Sequence, residues 1–273
     1  MKAIIKKHPT VFKCLLAILL FGVALFVSGL TNKGFVKQYV PYVAPLLLYG
    51  VTWFLYKKDK KSIRDLGLNF NLKNLSFLPL GILIGAFALF GAKILRALYV
   101  GENFEITTTI NYTNILFAFY FILPQVATEE FLFRGYLFKK TTEVSNVVIA
   151  NIIFSILFML IHVLDENVLS NKVMIILLVI TIPVGHLLFA TALLKSKTLF
   201  FPIGLHLGNN WATRHLITNS NSGESILFIP NGATFDTWTP FIITIILFNG
   251  FFLLVTFIIW KWDKFSFVKR LNK

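Results

Sequence analysis

The sequence predicts an all-α polytopic membrane protein with about eight transmembrane helices and both termini cytoplasmic. Three observations predict it. Of 273 residues, 56% are hydrophobic and 14% charged, and the mean hydropathy is +0.76, which no ordinary soluble domain matches. Apolar runs near the ~20 residues that a bilayer core demands recur along the chain. Lysine and arginine gather at alternate ends of those runs, the charge bias that orients membrane proteins.

The runs fall at about 11–30, 39–56, 77–99, 113–138, 146–164, 173–194, 198–216 and 239–260. The first resembles a signal peptide but is long for one, and it is expected to stay as a span. With the N-terminus inside, 19 of the 26 basic residues lie in inner segments and 4 (Lys33, Lys37, Lys172 and Arg214) in outer loops. The net charge of +14 thus reads as membrane topology rather than as a nucleic-acid surface. The basic loop "KKDKKSIRDLGLNFNLKNLS" either lies along the inner membrane surface or is simply solvated. The outer loop "TNSNSGESILFIPNGATFDTW" is expected to be irregular, from its Gly, Asn, Ser and Pro content. Residues 1–273 read as one integral membrane domain with no repeat and no coiled coil. The 30 Phe read as lipid-facing bulk. The single Cys14 allows no internal disulfide and is expected to pack.

Against this background "PQVATEEFLFRGYLF" (124–138) is anomalous, because ionisable groups within a membrane are costly and usually functional. Glu130 and Arg134 are i,i+4 and share a helix face. Glu129 is turned about 100° away, and Gln125 lies on its face. A structural Glu130–Arg134 bridge would leave Glu129 as a second, uncompensated acid. The fifth run carries Asn151, Ser155, Phe158 and His162 on one stripe. The seventh carries His206 and Asn210 on one face, with Gly204 and Gly208 allowing close helix approach. Counted from the inner ends at about 1.5 Å per residue, Glu129 lies roughly 15 Å deep, His206 roughly 14 Å, Asn210 roughly 20 Å and His162 roughly 24 Å.

Two acids, two histidines and an asparagine at such depths suit activation of water against a carbonyl, in which a carboxylate is the base and His and Asn donate to an oxyanion. The target expected is a peptide bond. There is no H-E-x-x-H motif and no mid-membrane pair of aspartates. Ser155 lies two turns from His162, too far for a direct bond. Zinc held by Glu129, His162 and His206 is conceivable, but no local ligand spacing supports it, and no cofactor is expected. Buried polar groups also line transport paths, so a small-solute transporter or a non-catalytic membrane scaffold or regulatory protein is the alternative.

Three motifs carry a resemblance. "EEFLFR" resembles the E-E-x-x-x-R motif of the CAAX prenyl endopeptidase and bacteriocin-processing (Abi) family of intramembrane proteases. "FMLIH" is similar to its F-x-x-x-H motif at Phe158 and His162, and "HLGNN" to its H-x-x-x-N motif at His206 and Asn210. The resemblance covers roughly 115–212, the expected catalytic core. It implies an eight-helix fold and a glutamate-dependent peptidase. Glu129 is then the general base, His162 its partner on the water, His206 and Asn210 the oxyanion donors, and Glu130 with Arg134 a supporting pair. His186 departs from the family pattern. It is expected to make an interhelical hydrogen bond or to add a polar wall to the cavity. The expected partners are membrane lipids and a membrane-associated peptide or protein substrate, and the expected location is a bacterial cell membrane.

Overall fold

The computed structural model describes residues 9–264 and is all-α. The helices are α1 (Pro9–Thr31), α2 (Gly34–Tyr39), α3 (Val43–Lys58), α4 (Leu72–Leu75), α5 (Phe77–Val100), α6 (Tyr112–Arg134), α7 (Tyr136–Val144), α8 (Val147–Val163), α9 (Glu166–Leu169), α10 (Lys172–Ser196), α11 (Phe200–Trp211) and α12 (Trp238–Lys261). Each expected apolar run forms a helix. Among the described residues five stretches are long and apolar enough to cross a membrane: Pro9–Thr31, Leu72–Val100, Tyr112–Val144, Lys172–Ser196 and Trp238–Lys264. The remaining three expected spans are shorter, with 16 residues in α3, 17 in α8 and 12 in α11. At about 1.5 Å per residue α11 is roughly 18 Å long, and a π-helical turn, Ala212–Leu216, extends it.

Helix α11 is short because it is the centre of the molecule. Every residue from Phe200 to Gly208 is buried. Leu199, Phe200, Ile203 and Leu207 pack into a core shared with α1, α3, α6 and α8. Phe201 and Leu205 pack into a second core with α5, α10 and α12. Against α5 the contact is backbone on backbone. A Cβ at Gly81 would lie 2.7 Å from the Leu205 amide nitrogen and 2.7 Å from the Phe201 carbonyl oxygen. One at Gly85 would meet the Leu205 carbonyl, one at Gly204 the Leu78 carbonyl and one at Gly208 the Ile82 carbonyl. The two small-xxx-small stripes therefore interlock, the arrangement that lets helices pack where lipid offers no hydrophobic drive.

Contacts between connecting segments sort the helix ends onto two faces. On one face, Asp59 at the end of α3 takes Lys13 of α1 at 2.6 Å and Lys140 of α7 at 2.7 Å, and accepts from the Tyr136 hydroxyl at 3.0 Å. Lys61 pairs with Glu143 at 2.5 Å and Lys195 with Asp263 at 2.8 Å. On the other face, Glu105–Ile106, Ile217–Thr218 and Leu227–Phe228 form a three-stranded sheet, with the last strand in the middle. The 217–237 loop is thus not wholly irregular. Two-residue strands are too short to leave any alternation in the sequence.

Burial raises the Asp59 pKa, but the bonds from Lys13, Lys140 and Tyr136 lower it more, to about 2 from an ordinary 3.8. A carboxylate held low in the folded state stabilises the fold above its unfolded pKa, and the effect is lost as pH falls through the folded value. The melting temperature of purified protein is therefore expected to fall from about pH 4 to about pH 2. Asp59→Asn should be less stable at neutral pH and should flatten that decline. An equally steep acid decline in Asp59→Asn would contradict the assignment.

Candidate active site

Glu129, Glu130 and Arg134 sit in the last two turns of α6. Pro124 lies just before them and has no N–H to give to the Tyr120 carbonyl one turn back. The Tyr42 hydroxyl fills that gap, donating to Tyr120 O at 2.8 Å. After Arg134 the helix breaks at Gly135, where a Cβ would run into the Phe131 carbonyl.

Arg134 Nη1 donates to Glu130 Oε1 at 3.1 Å, and both side chains are fully buried. The guanidinium carbon lies 4.2 Å from the Phe158 ring centre and 5.2 Å from that of Phe189. Phe158, the aromatic position of the second motif, thus covers the arginine by cation–π contact. Among the described residues Arg134 Nε and Nη2 and Glu130 Oε2 have no partner. Removing one partner of a buried pair costs about 3–5 kcal/mol, so Arg134→Ala is expected to lower the melting temperature sharply or to prevent recovery of folded protein. A wild-type melt for that variant would show that Glu130 does not need its arginine.

Across the helix interface, His206 Nδ1 lies 2.8 Å from the same Glu130 Oε1. A carboxylate only accepts, so Nδ1 carries the proton. Nε2 then points at Glu129 Oε2, 3.6 Å away, too far for a direct hydrogen bond. The imidazole stacks on Phe189, with ring centres 4.7 Å apart. Glu129 Oε1 accepts from Gln125 Nε2 at 3.1 Å, and Gln125 Oε1 accepts from Arg214 Nη2 at 3.3 Å. A polar chain therefore runs from an exposed arginine through Gln125, Glu129, His206 and Glu130 to a buried one. Gln125 was visible as i−4 to Glu129. Arg214 read only as a loop cation, and its place beside Gln125 depends on the π-helical turn that continues α11.

His162 and Asn210 stand apart from this chain. His162 Nδ1 donates to the Phe158 carbonyl at 2.8 Å, which leaves Nε2 as an acceptor when the ring is neutral. Asn210 is half-buried, one turn beyond His206. Among the described residues no hydrogen bond or ion pair joins either of them to Glu129. His186 corrects an expectation. It is buried and lies near Phe138 and Phe158, yet among the described residues neither ring nitrogen has a partner, so the expected interhelical hydrogen bond is not formed there. Its neighbours across the interface are aromatic rings, which accept no conventional hydrogen bond.

A cavity of about 280 Å³ reaches Glu129 between α1, α3 and α6. Gln125, Thr128 and Glu129 line it from α6, Ser28 and Asn32 from the end of α1, and Val43 and Ala44 from the start of α3. His162, His206 and Asn210 are not among its lining residues. Among the described residues no group of three or more His, Cys, Asp or Glu is placed to hold a metal ion, so Glu129, His162 and His206 do not form such a group.

Residues 111–212, which hold all three motifs, match the family model described as type II CAAX prenyl endopeptidase Rce1-like. No curated protein and no solved structure matches the chain. The matched family is one of membrane proteases, in keeping with the apolar helices of this integral membrane protein. The match over 111–212 supports the CAAX prenyl endopeptidase and bacteriocin-processing family for this chain.

Proposed function

We propose that the protein is an intramembrane endopeptidase in which Glu129 takes a proton from water as the water attacks a peptide carbonyl. The observation that carries this reading is the division of the two glutamates. Glu130 is fully buried and held by Arg134 and His206, while Glu129 lines a cavity. A base needs a free lone pair and access for the water it activates; among the described residues each glutamate keeps one unpartnered oxygen, but only Glu129 lines the cavity, whereas Glu130 is fully buried.

The tautomer of His206 sharpens its role. Because Nδ1 is committed to Glu130, Nε2 donates only when the ring is an imidazolium. With both glutamates ionised and Arg134 charged, a protonated His206 brings the cluster to neutrality. In that state Nε2 is a charged donor beside Glu129, suited to the oxyanion and then to the departing amine. Asn210, one turn farther along α11, supplies the second donor once substrate is bound. His162 Nε2, an acceptor in the neutral ring, orients the second hydrogen of the water. No step in this scheme needs a metal.

The substrate is a membrane-associated peptide or protein segment. The eight apolar helices all cross the bilayer, α11 with its π-helical turn, and both termini are cytoplasmic. This topology is supported by the charge bias and by the contacts that gather the lysine-rich ends on one face. Hydrolysis by direct water attack places one solvent oxygen in the new carboxylate and leaves no acyl-enzyme. Purified protein in detergent, given a peptide in ¹⁸O-labelled water, is expected to release a product with a single label. A covalent enzyme adduct in the same experiment would contradict the scheme.

A further inference from the structure

From the cavity that reaches Glu129 we infer that substrate and water enter from the face opposite the lysine-rich one, so that the enzyme acts on peptides presented at the extracytoplasmic side. The inference rests on the peptidase reading of Glu129 and on the direction of the cavity.

Its lining on α6 climbs from Glu129 through Thr128 and Gln125 to Phe121, toward the N-terminal end of that helix. On α1 it is lined by Ser28 and Asn32, at the C-terminal end, and on α3 by Val43 and Ala44, at the N-terminal end. These three ends lie together: the Tyr120 hydroxyl donates to the Tyr39 carbonyl at 2.7 Å and that of Tyr42 to Tyr120 at 2.8 Å. At the other end of the same three helices, Lys13, Asp59 and Lys140 form a closed ionic knot.

The other candidate residues lean the same way. His162 is in the last turn of α8 and Asn210 in the last turn of α11, and both helices point to the cavity's face. Arg214, which holds Gln125, follows on that face, beside the sheet formed by 105–106, 217–218 and 227–228. Lys57, Lys58, Lys60, Lys61, Lys139 and Lys140 mark the opposite face, and the positive-inside bias makes that face cytoplasmic.

The occupant is an extended peptide segment. The cavity climbs from Glu129 to Phe121, about 12 Å along α6, or roughly three to four residues of extended chain at about 3.3 Å each. Its walls mix apolar side chains with Ser28 and Asn32, which offer hydrogen bonds to a peptide backbone.

The single native cysteine makes the test direct. In a Cys14→Ala background, Asn32→Cys, Thr128→Cys and Lys60→Cys are each exposed to a membrane-impermeant thiol reagent. Sealed vesicles of both orientations are used. Asn32→Cys and Thr128→Cys are expected to react in right-side-out vesicles and Lys60→Cys only in inside-out ones. Reaction of Thr128→Cys only in inside-out vesicles, or in neither, would overturn the inference. In parallel, an impermeant peptide added to vesicles containing the native chain should be cleaved only when they are right side out, and cleavage only in inside-out vesicles would also overturn it. If labelling follows the expected sides while Glu129→Gln cleaves peptide normally, the access route stands and the peptidase role of Glu129 falls.

Discussion

Replacing Gly85 with leucine is expected to abolish the folded protein. A Cβ at that position meets the Leu205 carbonyl of α11, and the amide of Asn209 lies 3.0 Å away. Both obstacles are backbone, so no rotamer change relieves the clash and the two helices must part. Overpacking a core commonly costs about 1–3 kcal/mol where side chains can yield; here they cannot, and the cost should exceed that range. Parting the helices also carries His206 away from Glu130, since His206 lies between the Gly204 and Gly208 contacts. Gly22→Leu is the matched control, because a Cβ at Gly22 has nothing within 4 Å among the described residues. Size-exclusion profiles and thermal melts of the two variants in the same detergent should separate completely. A wild-type profile for Gly85→Leu would show that the α5–α11 contact is looser than described.

That contact marks where sequence reading stopped. Gly204 and Gly208 were legible as a close-approach stripe, because i,i+4 spacing is a property of one helix. Their partners Gly81 and Gly85 carry the same spacing, but nothing within either segment says which stripe meets which. The Glu130–Arg134 bond was legible for the same reason, since both ends lie on α6. The bond from His206 to Glu130 was not. It depends on the register between α6 and α11, and it changes what Nε2 of His206 can donate. His186 could be seen as a polar intruder, but its lack of a partner follows from the aromatic rings that α7 and α8 place around it. The roughly 24 Å counted for His162 from the inner end of its run reflects its place far along that helix. The histidine is in the last turn of its helix.

Glu129→Gln is expected to remove peptide cleavage while leaving the fold intact. The amide keeps the shape of the carboxyl and can still pair with Gln125, and neither Glu130, Arg134 nor the glycine contacts are touched. What it loses is the lone pair that takes the proton from water. A positioned base contributes about 10²–10⁴-fold, so cleavage should fall by at least that factor. Its melting temperature and its affinity for a fluorescent, uncleaved peptide should match those of the wild type.

The decisive measurement is cleavage of one defined peptide by purified wild type and Glu129→Gln, each with and without a zinc chelator. The predicted result is cleavage by the wild type that the chelator does not alter, and none above background by Glu129→Gln. Undiminished cleavage by Glu129→Gln, or a wild type silenced by the chelator, would contradict the assignment of Glu129 as the base that activates water without a metal.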